Sequence, residues 1–115
     1  MGMVMKRGEV YLVSLRPTEG REIMGKGRDE ARPCVVVSPD ILNERLGTVM
    51  VVPITSKRKN FPWRTKIEFA GKQGEIVTEQ IRTYDRASRR FIKKLGSLTA
   101  SEMRDCLSQL RLIFS

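Results

Sequence analysis

The sequence contains no histidine. This removes imidazole as a general acid or base, and with it the commonest metal ligand. Cysteine is scarce as well, with two in 115 residues. Cys34 lies in a valine run and Cys106 on the apolar face of a helical pattern, so both read as small buried apolar side chains. A disulfide between them is the less favoured reading for a chain kept in the cytosol. No apolar run approaches the ~18 residues of a membrane span. The stretch Met1–Lys6 has no signal-peptide core, and position 6 lacks the Ser or Thr of a myristoylation signal. The expectation is a cytoplasmic protein, off the membrane, using neither metal nor cofactor.

Negative charge is also in short supply. Twenty-two Lys and Arg face 13 Asp and Glu, giving a formal net charge of +9. The sequence pI is near 10.2. An excess of this size on a small chain points to a polyanionic partner. The cations are bunched: Arg16, Arg21, Lys26 and Arg28; then Lys57, Arg58, Lys59, Arg64 and Lys66; then Arg86, Arg89, Arg90, Lys93 and Lys94. Two of these groups follow strand-like runs and could frame one basic groove. The plainer reading is a solvated, solubilising surface, but the clusters carry few compensating acids.

The length suits one domain, residues 1–115, with one modest core. Two β-branched apolar runs, Cys34–Val37 and Val49–Ile54, read as buried neighbouring strands. Between them Ser38-Pro39-Asp40 reads as an N-cap with proline at N1, starting a short helix that Gly47 stops. Pro53 inside the later run predicts an edge strand or a bulge, because proline donates nothing to a ladder. Gly8–Leu15, Thr65–Phe69, Glu75–Ile81 and Phe91–Leu95 are further strands, with Gly71–Gly74 as a turn. Arg16–Ala31 is a long polar loop with the character of a flap. Thr99-Ala100-Ser101-Glu102 matches a capping box. After it Met103, Cys106, Leu107, Leu110, Ile113 and Phe114 recur at three and four residues, an amphipathic helix running to the C-terminus. The fold class is mainly β (α+β), a small SH3-like antiparallel barrel with a C-terminal amphipathic helix.

Without histidine, proton transfer falls to carboxylates, Lys or Tyr. RNA brings its own nucleophile, the 2′-hydroxyl. An enzyme using it needs a base and positive charge on the phosphoryl oxygens. Arg32, at a strand entry, offers a planar, always-charged fork for phosphate. Thr55, at a strand end, offers a hydroxyl, and Ser56 another. Glu22 and Glu79 are both candidate bases. Phe61, among Lys57, Arg58 and Lys59, suits a stacked base beside its phosphate. Phe61 and Trp63 as caps on the core are the alternative. Arg21, Gln80, Arg82 and Arg86 complete the expected RNA-binding set.

Several segments carry a resemblance. They are Arg7-Gly8-Glu9-Val10-Tyr11, Pro17-Thr18-Glu19-Gly20-Arg21-Glu22, Arg32-Pro33 before the valines, Pro53-Ile54-Thr55-Ser56, Glu79-Gln80-Ile81-Arg82-Thr83 and Leu95-Gly96-Ser97-Leu98. In this order they resemble the MazF/PemK (Kid) family of toxin ribonucleases. The resemblance implies a metal-independent, sequence-selective endoribonuclease acting on single-stranded mRNA. It would leave 2′,3′-cyclic phosphate and 5′-hydroxyl ends. It would act as a homodimer and be neutralised by an acidic MazE/PemI-like antitoxin. The arginine and threonine implicated in cleavage fall on Arg32 and Thr55. The family's acids fall on Glu22 and, for a base proposed in the Kid branch, on Glu79. That branch has an arginine where this chain has Val77. A CcdB-like gyrase-inhibiting toxin and a non-catalytic nucleic-acid-binding barrel are the rival readings.

Overall fold

The computed structural model describes residues 4–15 and 31–115. The elements run β1 (Glu9–Ser14), β2 (Ala31–Val36), α1 (Asp40–Leu46), β3 (Thr48–Thr55), β4 (Thr65–Phe69), β5 (Lys72–Ile76), β6 (Arg82–Asp85), β7 (Phe91–Ser97) and α2 (Ala100–Ile113). All the strand pairings are antiparallel. The sheet order is β4-β5-β3-β2-β1-β7, with β6 alongside β3. The expected barrel is thus a strongly curled sheet. Its two ends approach where the Phe69 ring meets Gly96, leaving 3.1 Å to a Cβ built at Gly96.

The two valine runs are central because they bury both faces. Val10, Val35, Val37, Val52, Ile54, Ile67 and Ile76 pack beneath Met103, Cys106 and Leu110 of α2. On the other face Met5, Tyr11, Val13, Cys34, Val36, Val49 and Val51 form a second cluster. This is why β2 and β3 read as continuous apolar runs rather than as alternation. The two cysteines fall in different clusters and are free thiols. Burial pushes each thiol up to about 12, so neither offers a thiolate at neutral pH.

Pro53 sits neither on an edge strand nor in a β2–β3 bulge. One edge of β3 pairs with β2, with Pro53 opposite Cys34. The other edge pairs with β6 over Thr48–Val51 and with β5 over Ile54 and Thr55. Pro53 stands at this change of partner, where its carbonyl takes the Val77 N–H at 2.8 Å. Its missing donor therefore falls where β6 has ended and β5 has not begun.

Several boundaries differ from the sequence reading for local reasons. The β4–β5 turn is Ala70-Gly71, both at positive φ, so β5 begins earlier and ends at Ile76. That pair of conformations matches the right-handed twist of a hairpin. Pro39, not Ser38, is the N-cap of α1. The Ser38 hydroxyl instead bonds to Asn43 and takes the Met50 N–H at 2.9 Å. Asn43 is buried and donates to the Met5 carbonyl at 2.7 Å, which ties the N-terminal segment to α1.

The capping box of α2 is present in both directions. Thr99 Oγ1 takes the Glu102 N–H at 3.1 Å, and Glu102 takes the Thr99 N–H at 3.0 Å. Such a cap contributes about 1 kcal/mol. The apolar stripe buries Met103, Cys106 and Leu110 but leaves Phe114 74% exposed. The stripe thus extends past the core it covers. Among the described residues no helix is long and apolar enough to cross a membrane.

Candidate active site

The β2–β3 pairing runs from Val36–Val51 to Cys34–Pro53, and Arg32 and Thr55 lie two residues beyond its last pair, on β2 and β3 respectively. Both side chains line a hollow of about 460 Å³. Lys57, Lys59, Arg64, Gln80 and Arg82 supply the rest of its polar lining, and Leu15, Pro53 and Val77 its apolar part. Among these residues are five cations and no acid. Like charges held this close repel, and an anion relieves them.

Arg32 is exposed, and its guanidinium pairs with none of the described residues. Thr55 is half-buried at the end of β3. Its Oγ1 accepts the Lys57 N–H at 3.1 Å. That occupies a lone pair and leaves the hydroxyl proton free to donate into the hollow. Arg32 and Thr55 also line a second hollow of about 500 Å³, with Ser56, Ile67, Phe69 and Leu95. The pair therefore forms the ridge between a cationic and a more apolar depression.

Of the expected RNA-binding residues, Lys57, Lys59, Gln80 and Arg82 come together in the cationic hollow, and Ser56 stands in its neighbour. Arg58 is exposed and lines neither. Phe61 is already stacked. Its ring lies 4.7 Å from that of Trp63 at an interplanar angle of 8°, and the Arg64 guanidinium stands 4.8 Å from its centroid. Arg86 is elsewhere. It donates to the Asn43 carbonyl at 2.9 Å, in the last turn of α1, where a cation is favoured by the helix dipole. Arg21 and Glu22 lie outside the described residues.

Glu79 does not line the hollow. It accepts from Trp63 Nε1 at 3.0 Å and from Arg64 Nε at 3.2 Å, and Arg64 also reaches its second oxygen. The Arg64 hydrogen bond, opposed by partial burial, holds this carboxyl below the usual carboxylate range. A carboxylate so stabilised is a weak proton acceptor.

A second acid, Glu75 of β5, was not expected at the site. Its side chain has 0% exposure. Its oxygens accept the Lys59 N–H at 3.2 Å, the Asn60 N–H at 2.8 Å and Arg64 at 3.4 Å. Burial alone would raise its pKa. The two amides and Arg64 outweigh burial and hold it below the usual range. Glu75 also pairs across the sheet with Thr55. Behind that pair, a Cβ on Gly74 would come within 2.6 Å of the Thr55 carbonyl, so only glycine fits. The signal for Glu75 was an acid set directly against the apolar pair Ile76-Val77, where burial is tolerated only with partners. Among the described residues no three acids or cysteines gather as a metal site.

Comparison with known proteins follows the same outline. A family model described as PemK-like, MazF-like toxin of type II toxin–antitoxin system matches residues 6–114. A curated relative, the endoribonuclease MazF of Staphylococcus saprophyticus, is 34% identical over 108 residues, 89% of this chain and 84% of its own. A crystal structure of MazF from Deinococcus radiodurans superposes with a TM-score of 0.77 at 24% identity, covering 98% of each chain. A mycobacterial endoribonuclease in complex with its cognate antitoxin gives 0.74 at 22% identity, covering 96% of this chain and 94% of that one. These structures share the curled sheet and C-terminal helix.

Proposed function

The chain belongs to the PemK-like, MazF-like toxin family of type II toxin–antitoxin systems, and from that premise we propose how it cuts RNA. It is an endoribonuclease toxin whose counterpart is a MazE-type antitoxin. The whole chain acts as one toxin domain, in the cytoplasm, as a homodimer on single-stranded mRNA. The presence of Arg32 and Thr55 together on the wall of a hollow lined by five cations carries this reading.

The scissile phosphate sits on the ridge between Arg32 and Thr55. The Arg32 fork holds two phosphoryl oxygens and stabilises the charge that builds there in the transition state. Thr55 donates one hydrogen bond, its lone pair already held by the Lys57 N–H. The 2′-hydroxyl attacks phosphorus while a carboxylate takes its proton. The bond to the 5′-oxygen breaks and that oxygen takes a proton from water, leaving a 2′,3′-cyclic phosphate and a 5′-hydroxyl. Glu79 is committed to Arg64 and Trp63, which favours Glu22 as that base. Arg64 and Arg82 line the hollow beside Val77, supplying charge where the Kid branch has an arginine. No step calls for a metal. The exposed Leu112, Ile113 and Phe114 at the end of α2 leave an apolar surface for a second copy.

The test is single-turnover cleavage of one oligonucleotide in EDTA, with equilibrium binding measured in parallel. Arg32→Lys keeps the charge and loses the fork, so cleavage falls ~10²–10³-fold, as for loss of an oxyanion donor. Its binding stays within about threefold, because the charge is retained. Cleavage that requires Mg²⁺, or a folded Arg32→Ala protein that cuts at the wild-type rate, overturns the mechanism. RNA left intact by the wild type would favour a CcdB-like or purely binding role.

A further inference from the structure

The three cations Lys57, Arg58 and Lys59 are carried by a stretch whose two ends are both anchored to a single cross-strand pair. Thr55 and Glu75 face each other where β3 meets β5. Thr55 takes the Lys57 N–H, and Glu75 takes the N–H groups of Lys59 and Asn60. Asn60 sits at φ 59°, a left-handed bend that asparagine tolerates better than most residues. A loop of exposed, mutually repelling cations has no reason of its own to hold this bend. The buried carboxylate supplies one, and its charge also offsets Arg64, which lines the hollow.

We propose that Glu75 is a positioning residue, which holds the Lys57–Lys59 backbone so that Lys57 and Lys59 meet consecutive RNA phosphates beside the scissile one. The proposal rests on the nuclease reading above and adds to it how the substrate is gripped. Glu75 is fully enclosed and touches no substrate, so it acts through the loop amides and Arg64. Its effect belongs to binding, because a preordered loop spares RNA the cost of ordering it. The Arg32 fork stands on β2, outside this set of hydrogen bonds, and Thr55 keeps its place in β3.

The experiment is a double-mutant cycle on a cleavable oligonucleotide, using Glu75→Gln, Lys59→Gln and the pair. Glutamine keeps the length but presents an NH₂ group to one of the loop donors. In Glu75→Gln the KM rises about tenfold with kcat little changed, an effect in the range measured for contacting groups. Lys59→Gln then weakens RNA binding in the wild-type background and hardly at all in the Glu75→Gln background. Additive effects, or a fall in kcat with KM unchanged, overturn the role of Glu75. Absence of wild-type cleavage in the same assay overturns the nuclease reading instead. Should Glu75→Gln fail to fold, amide exchange in the wild type decides. Protection of the Lys59 and Asn60 amides before RNA is added supports the preordered loop. Exchange at open-chain rates refutes it.

Discussion

In the loop that follows β3, Lys57 and Lys59 line a hollow while their backbone is pinned from below by Thr55 and Glu75. In the turn that follows β6, Arg89 is exposed but the other two cations go inward. Arg86 donates to the Asn43 carbonyl, and Arg90 donates to the Ser14 carbonyl at 3.1 Å and lies over the Tyr84 ring. The first loop spends backbone hydrogen bonds on anchoring, so its lysine side chains stay available. The second spends arginine side chains on anchoring. A count of charges along the chain cannot separate these cases. What separates them is which atoms satisfy the buried acceptors nearby.

The comparison can be broken first at the two arginines. Arg64 is the cationic partner of both Glu75 and Glu79. Arg64→Ala leaves a buried carboxylate without its countercharge and lowers stability by about 3–5 kcal/mol in urea unfolding. Arg86→Ala removes a charged hydrogen bond to a helix carbonyl and costs about 1.5–3 kcal/mol, with RNA cleavage unchanged. If Arg86→Ala instead stays fully stable and loses activity, the assignment of the two loops is reversed.

Acid sharpens the same contrast. Glu75 and Glu79 are both held below the ordinary value of 4.5. Folded protein therefore binds fewer protons than unfolded protein in this range. Their contribution is full above pH 4.5 and is lost as pH falls through the lower folded-state values. Glu9, lowered by the Lys6 amide, Lys94 and Tyr11 against its burial, shares the sign. Thermal melts should thus fall steadily below pH 4.5. Glu75→Gln should flatten that fall, whereas Arg86→Ala should lower the curve without changing its shape.

The sequence made the middle of the sheet legible because its signals are local. The runs around Cys34 and Val49, and the box at Thr99, each specify their element within a few residues. β6 escaped because Arg82–Asp85 has no buried residue, alternating only between half-buried and exposed. Glu75 and Glu79 look alike in one dimension, four residues apart in one β-like stretch. The strand ends between them, at Ile76, and the loop from β3 gives backbone amides to the first but only the side chains of Trp63 and Arg64 to the second. Arg86 read as a groove cation because its partner, Asn43, lies 43 residues earlier. Arg32 and Thr55 were legible as residue types suited to phosphate. Their meeting on the wall of one hollow is a matter of strand pairing, which only the fold supplies.

Salt dependence of RNA binding tests most directly whether the hollow, and not the turn after β6, grips phosphate. It should be measured on one uncleaved oligonucleotide for the wild type, Lys57→Gln/Lys59→Gln and Arg86→Ala. The double substitution should make the log–log slope shallower by ~1.4, about 0.7 for each lost phosphate contact on a single strand. Arg86→Ala should leave the slope at the wild-type value. A slope unchanged by the loss of Lys57 and Lys59, or shallower without Arg86, would contradict the account.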